Sequence, residues 1–266
     1  MKQVGITETY DPRFVYDWDK RLKDVNIIIT KSLEGYMIEK LLANKDRIIL
    51  HLTCTGLAGT IWEPNVPDVG QTLRYFDRLL EEGFPVQQTV LRIDPIIPTD
   101  ENLKLTGYVL DNFKSIRKVA ENRGMRCRIS IVDLYPHVLA RIEEAGIKLP
   151  WTTFHTPKHL IDKAANLCTQ YSEYYDFETC AEIGFPESFS KCGCVSEKDL
   201  LILDKNPGNY SNELNGTRKW CTCLKKMNIL GVKPGRCPHS CMYCYWQTDT
   251  EQPNPKTAKS LFNEEA

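Results

Sequence analysis

Through the first 185 or so residues, short β-branched runs alternate with longer amphipathic ones, and few folds accommodate that rhythm. Residues 25–30 read as a buried strand followed by a helix over 33–43, and residues 47–53 as the next strand. After a long loop with Pro64 and Pro67, Leu73, Phe76, Leu79 and Leu80 mark one helical face that stops at Gly83. Residues 89–93 predict a strand. The helix after it starts near Thr99-Asp100-Glu101 and carries Val109, Phe113, Ile116 and Ala120 as far as Gly124. A strand at 127–132, a helix through Val138, Leu139 and Ile142, a helix at 158–174 and a strand at 177–181 complete the series. Residues 4–7 predict the first strand, ahead of a helix over 13–21. Strands alternating with helices of this length imply βα units and a parallel sheet. Some six units suit an α/β fold of the (βα) barrel kind, partial or complete, better than a flat sheet.

Polar or ionisable residues recur where the expected strands finish: Glu8, Thr30 with Lys31, Thr53 with Thr55, Arg92 with Asp94, Asp133, and Glu178 with Glu182. In βα barrels the active site is built from those C-terminal strand ends. Arg92, Asp94, Asp133 and Glu182 are therefore candidate catalytic residues, although loop polarity alone accounts for any one of them. Arg92 and Asp94 flank Ile93, so strand alternation sends both to one face. With Ile93 packed on outer helices, that face is the barrel interior.

Eleven cysteines is a heavy load, and eight of them crowd into residues 180–244. Clustering of this kind, with an odd total and no leading apolar segment after Met1-Lys2-Gln3, points to metal ligation in a reducing cytoplasm rather than to disulfides. No run approaches a membrane span, and a net charge of −1 offers no global field for nucleic acid. From 186 to 235 the pattern breaks into Gly, Pro, Asn and Cys with one short helix at 197–203. Such a segment has too small a core to fold alone, and metal ligation would supply the missing stability. The expected organisation is a βα barrel core over 1–185 and a cysteine-rich segment over 186–266 that folds over the barrel mouth. The polar tail after Gln247, with Pro253 and Pro255, is expected to fray.

Cys237-Pro238-His239-Ser240-Cys241-Met242-Tyr243-Cys244-Tyr245 spaces three cysteines as Cys-x3-Cys-x2-Cys. Three thiolates on one short loop can hold three irons of a 4Fe–4S cube and leave the fourth open. Zinc is the rival, but it prefers paired Cys-x2-Cys knuckles, and His239 lies inside the loop where it would point away from the sulfurs. The loop resembles that of radical S-adenosylmethionine (SAM) enzymes, in which the open iron chelates SAM and reduction yields a 5′-deoxyadenosyl radical. In those enzymes the loop comes early in the chain; here only 22 residues follow Cys244.

Further stretches run in one order along nearly the whole chain: Ile29-Thr30-Lys31, Leu52-Thr53-Cys54-Thr55-Gly56, Leu91-Arg92-Ile93-Asp94-Pro95-Ile96, Ile129-Ser130-Ile131-Val132-Asp133-Leu134-Tyr135, Glu178-Thr179-Cys180-Ala181-Glu182 and Trp220-Cys221-Thr222-Cys223. With the triad, they make the chain resemble the bacterial family called domain of unknown function eighteen forty-eight, regarded as radical-SAM-like for its C-terminal cysteines. An arginine pair usual after that family's first strand is replaced here by Thr7-Glu8-Thr9-Tyr10-Asp11, and its Cys-Gly-Cys by Cys221-Thr222-Cys223. The resemblance selects Cys180, Cys194, Cys221 and Cys223 as a second ligand set and leaves Cys192 over. That set suits a second 4Fe–4S cluster or a zinc ion; Cys-x-Cys spacing does not discriminate. Cys127 and Cys168 read as plain buried thiols, and Cys54 as one at a strand end.

The chemistry that follows is reductive cleavage of SAM and hydrogen abstraction from a substrate the sequence does not name, with a flavodoxin or ferredoxin as reductant. Tyr243 or Tyr245 would pack on the adenine, and Lys31 or Arg92 would meet the methionine carboxylate, with Thr53 at the same strand-end layer. An iron–sulfur protein without SAM chemistry is the alternative. A zinc-held nucleic-acid module is disfavoured by the lack of a basic aromatic stripe.

Overall fold

A computed structural model describes residues 1–121, 124–180, 182, 184–214, 221–231 and 236–247. Eight strands form one sheet: Val4–Ile6 (β1), Asn26–Thr30 (β2), Ile48–Thr53 (β3), Thr89–Ile96 (β4), Met125–Ile131 (β5), Tyr175–Thr179 (β6), Ser190–Lys191 (β7) and Lys226–Asn228 (β8). Their order is β7-β6-β5-β4-β3-β2-β1-β8, and every pairing is parallel. Strand order follows chain order without reversal from β1 to β7, as in singly wound α/β folds of the barrel kind, whereas doubly wound sheets reverse at a switch point. The last strand, β8, returns to pair with the first.

Parallel neighbours need crossovers, and helices supply them. These are Met37–Ala43 (α1), Val69–Glu81 (α2), Asp100–Lys114 (α3), Arg117–Glu121 (α4), Pro136–Glu144 (α5), Lys158–Thr169 (α6) and Glu197–Ile202 (α7). In α2 the Asp68 carboxylate accepts from Gln71 N at 2.8 Å, and the turn after the helix is closed by Gly83 at φ +97°, where a Cβ would be strained. Its apolar stripe, Val69, Phe76, Leu79 and Leu80, is buried against β-strand residues such as Leu50, Leu91 and Ile93 in the larger core cluster. Each such side chain contributes about 1.5–3 kcal/mol.

The opposite face of the sheet carries a second core of Val4, Ile6, Ile27, Ile49 and Val90, covered by Val195, Leu200 and Leu203 from α7 and its flanks, with Tyr210 and Leu224. Both faces are buried, as a parallel sheet requires. Ile93 lies in the outer cluster, so Arg92 and Asp94 do share the inner face.

Several expected elements are corrected. Residues 13–21 form no α-helix but two 3-10 turns, Pro12–Phe14 and Trp18–Arg21. Asp11 caps the first of these, and so short a segment has too few turns to hold an α-helix. The helix expected from 33 begins at Met37, and the one expected to reach 174 ends at Thr169 in a series of turns. The helix running to Gly124 is broken at Ser115, whose hydroxyl bonds back to Asp111 O. Strands β7 and β8 lie in the stretch read as irregular; two and three residues are too short to show a period. Ala181, the expected end of the strand now bounded at Thr179, and the tail after Gln247 lie outside the described residues. No helix among the described residues is long and apolar enough to cross a membrane.

Candidate metal and cofactor centre

The triad loop at 236–247 is seated on the turns that follow the C-terminal ends of β1, β2, β3 and β5. Met242 N donates to Trp62 O at 2.9 Å, and Asn65 Nδ2 donates to Pro238 O at 2.9 Å. Lys31, just beyond β2, donates from Nζ to Glu63 Oε1 at 2.7 Å and to the Tyr243 hydroxyl at 2.8 Å, while that hydroxyl donates to the same Glu63 oxygen. Glu63 and Tyr243 are buried. Burial is the largest influence and works against the Lys31 charge, but Glu63, Cys241 and Cys54 together outweigh it, and Lys31 stays raised above an ordinary lysine. Tyr243 is pushed well up by burial first and by Glu63 second.

His239 turns away from the sulfurs, as expected, and fills a separate role. Its Nε2 lies 2.9 Å from Asp11 Oδ2 and its Nδ1 lies 3.1 Å from Asn65 O. Asp11 also accepts from Thr30 Oγ1 at 2.8 Å, Lys31 N at 2.8 Å and Arg13 N at 2.9 Å. Burial would raise this carboxyl, yet the bonds from His239 and the backbone hold it below its usual range. On the other flank, Tyr245 stacks on Tyr135 with centroids 5.3 Å apart, His137 Nε2 is 3.1 Å from Tyr245 O, and Arg141 Nη2 donates to Cys244 O at 2.6 Å. Cys237 and Cys244 are half-buried and Cys241 is buried. Burial pushes Cys237 up to about 11 and Cys241 up to about 12, so both carry their protons until a cation displaces them.

The strand-end residues are only partly brought together. Arg92 Nη2 pairs with Asp94 Oδ2, and Ser130 Oγ donates to the other Asp94 oxygen. Thr53 is buried at the end of β3 in register with Arg92. Glu182 accepts from Ile131 N at 3.2 Å, and Asp133 Oδ1 lies 3.1 Å from His155 Nδ1. Arg92 and Asp94 thus form one unit, while Glu182 and Asp133 are each bound to other partners.

Deeper on the inner face lies a charged layer. Arg126 Nε and Arg128 Nη2 donate to the two oxygens of Glu178 at 2.8 and 2.5 Å, and Arg126 Nη1 donates to Asp199 Oδ1 at 2.8 Å. His51, in the middle of β3, is fully buried, and neither ring nitrogen has a hydrogen-bond partner among the described residues.

The second cysteine group forms at the two open edges of the sheet. Cys180 follows β6, Cys194 follows β7, and Cys223 precedes β8. Their donor atoms all lie within 4.8 Å of one another, the one such group of three or more among the described residues. Cys180 Sγ is 3.6 Å from Cys194 Sγ and 3.7 Å from Cys223 Sγ, and Cys194 N donates to Cys223 Sγ at 3.0 Å. The Cys221 thiol also reaches Cys180, and its sulfur accepts from Cys223 N at 3.4 Å. Cys180 is pushed far up by its bond with Cys194, then by those with Cys221 and Cys223; Cys223, bonded by Cys180 and Cys194, falls to about 6. Cys192 stands apart, accepting from Arg128 Nη2 at 3.3 Å.

The profile of the family described as Domain of unknown function (DUF1848) matches residues 2–246. The chain belongs to this family. The matched span takes in the whole sheet and both DUF1848 cysteine groups, so the residues described above lie within the family's own region. No curated protein and no solved structure matches the chain.

Sequence reasoning missed Glu63, Asp11 and the role of His239. Glu63 stands in a loop with no period and Asp11 was expected ahead of a helix, so only the folded-back loop reveals them. Arg126, Arg128 and Asp199 were missed too; the alternation of Arg126 and Arg128 along β5 was the available signal.

Proposed function

We propose that this protein is a radical SAM enzyme whose triad loop serves as a lid over the C-terminal ends of the sheet. The observation that carries the reading is the seating of the loop. A cysteine motif near the chain's end is held on the strand-end turns by Tyr243, Met242 and His239. Cys237, Cys241 and Cys244 would hold a 4Fe–4S cluster; three thiols on one loop fit a donor set that leaves one iron open. When bound, the cluster supplies reductive cleavage of SAM into methionine and a 5′-deoxyadenosyl radical, with flavodoxin or ferredoxin as the natural electron donor.

The chain's own residues bind and orient. Lys31 spends two of its three N–H donors on Glu63 and Tyr243, which leaves one for a carboxylate. The Tyr135–Tyr245 stack beside Cys244 offers an aromatic face for adenine. Arg92 keeps an unpartnered, buried Nε next to Asp94, suited to gripping a substrate anion. A loop seated in this way would exclude water from the reaction space. Anaerobic reconstitution with iron and sulfide, then dithionite and SAM, should release 5′-deoxyadenosine, and Cys241→Ala should abolish it while the circular dichroism is kept. A reconstituted wild-type cluster that leaves SAM intact would overturn the proposal.

A second reading, an iron–sulfur protein without SAM chemistry, is favoured by the pairing of Lys31 with Glu63 and of Arg92 with Asp94, which leaves these charges already satisfied. The same assay separates the two.

A further inference from the structure

We infer that Cys180, Cys194, Cys221 and Cys223 hold a single zinc ion, not a second iron–sulfur cube, and that this ion closes the sheet between β7 and β8. Sulfur spacing decides the nuclearity. A tetrahedral ion with metal–sulfur bonds of about 2.3 Å sets its sulfurs about 3.8 Å apart. In a 4Fe–4S cube each thiolate caps a different iron beyond a corner, and the sulfurs stand roughly 6 Å apart. The observed separations among Cys180, Cys194 and Cys223 are 3.6 and 3.7 Å, and the third pair lies within 4.8 Å; Cys221 falls outside that limit but its thiol bonds to Cys180, so a turn of its side chain would bring it in as the fourth ligand. The three sulfurs of Cys237, Cys241 and Cys244 do not all fall within that limit, so one chain carries two cysteine groups of different gauge.

Backbone packing fixes the narrow gauge. A Cβ on Gly193 would lie 2.6 Å from both Cys223 N and Cys223 Cα, so the segment after β7 runs against the segment before β8 with no room for a side chain. Leu224 N donates to Val195 O at 3.0 Å across the same seam. Both contacts hold the backbones that carry Cys194 and Cys223 together. Among divalent ions, thiolate sets favour zinc over ferrous iron.

Binding releases up to four thiol protons to solvent and leaves a formal −2 on the zinc–thiolate unit. Lys226, whose side chain is 8% exposed, lies close enough to Cys194 and Cys223 to feel their charge and, although it also pairs with Glu8, offsets part of it. Cys192 is excluded by its bond to Arg128.

The ion would join the end of β6 and the loop after β7, at one edge of the sheet, to the approach to β8 at the other edge, two edges that pair with no strand between them. This inference concerns a different cysteine set from the proposed SAM site and stands or falls without it.

The test is metal content per chain in the full-length protein and in the triple variant Cys237→Ser/Cys241→Ser/Cys244→Ser. About one zinc per chain, kept in the triple variant while iron is lost, is the expected result. X-ray absorption at the zinc edge of the wild-type protein should show four sulfurs at about 2.3 Å, and decides the matter if the triple variant does not fold. Cys223→Ser should lose the zinc, and Cys192→Ser should keep it. About four irons with matching sulfide in the triple variant, one iron without zinc, or no bound metal would each overturn the assignment. An inert triad with one zinc retained would refute the SAM proposal alone.

Discussion

His51 is an imidazole walled in by cations: Arg128, Arg92, Arg126 and Lys226 all bear on it, after burial itself, and together they hold it well below an ordinary histidine. In the unfolded chain it is free to take a proton near pH 6.5. A folded-state pKa below the unfolded one makes the unfolded state the better proton binder, so this contribution is complete above about pH 6.5 and is lost as the pH falls below it. The expected loss is up to about 1.4 kcal/mol per pH unit, and His51→Leu should flatten it. Melting temperatures measured from pH 7 to 5 check this; equal slopes in the two proteins would refute it. At the rim, Arg92→Lys keeps the charge but loses the planar fork. It should keep metal content and melting temperature while SAM-dependent turnover falls at least tenfold. Unchanged turnover with lowered stability would make the Arg92–Asp94 pair scaffold only. The inward face of Arg92 was legible from strand alternation. The partners of His51 were not, because they come from β4, β5 and β8, and register between strands is not written in any one of them.

Short elements here lean on tertiary partners more than on propensity. Helix α7 has six residues, too few to persist alone, but Ser196 and Asp199 cap it reciprocally, and Asp199 also accepts from Arg126. Ser196→Ala removes the cap, and with it the bond to Cys192, and should cost about 1 kcal/mol. Asp199→Ala leaves the buried Arg126 short of one partner and should cost about 3–5 kcal/mol. Urea midpoints would check the ranking, and equal losses would show that the ion pair adds nothing. Helix α2 and the start of α3 could be read from the chain because period and caps agree, whereas the break at Ser115 could not. Residues 13–21 misled because a few apolar residues at helical spacing do not say whether their face will find a surface to cover. β7 and β8 were hidden because their backbones are recruited by an existing edge.

The molecule as a whole is tied at its edges. β1 pairs with β8 across more than 200 residues of chain, and the two outermost strands have only two and three residues. Local opening should therefore begin at those edges. Hydrogen exchange should find the amides of β2 to β5 slowest and those of β7 and β8 fastest, with the edge amides slowing when the Cys180 group is loaded with zinc. Edge amides as protected as those of β3 in the metal-free protein would contradict this ordering. The parallel sheet and its chain-ordered strands were foreseeable from the strand–helix rhythm. The meeting of Cys180, Cys194 and Cys223 at its two edges was not, since their distances come from the fold alone.

The return of β8 to β1 also sets a timetable for synthesis. As the chain leaves the ribosome, β1 to β7 can assemble in order, but the rim at β1 stays unpaired until residues up to Asn228 have emerged. Throughout that interval the strand edge of β1 is open to neighbouring chains. Overexpression without a matching metal supply would then leave product in inclusion bodies, and zinc added during growth, rather than after lysis, is the remedy this topology recommends.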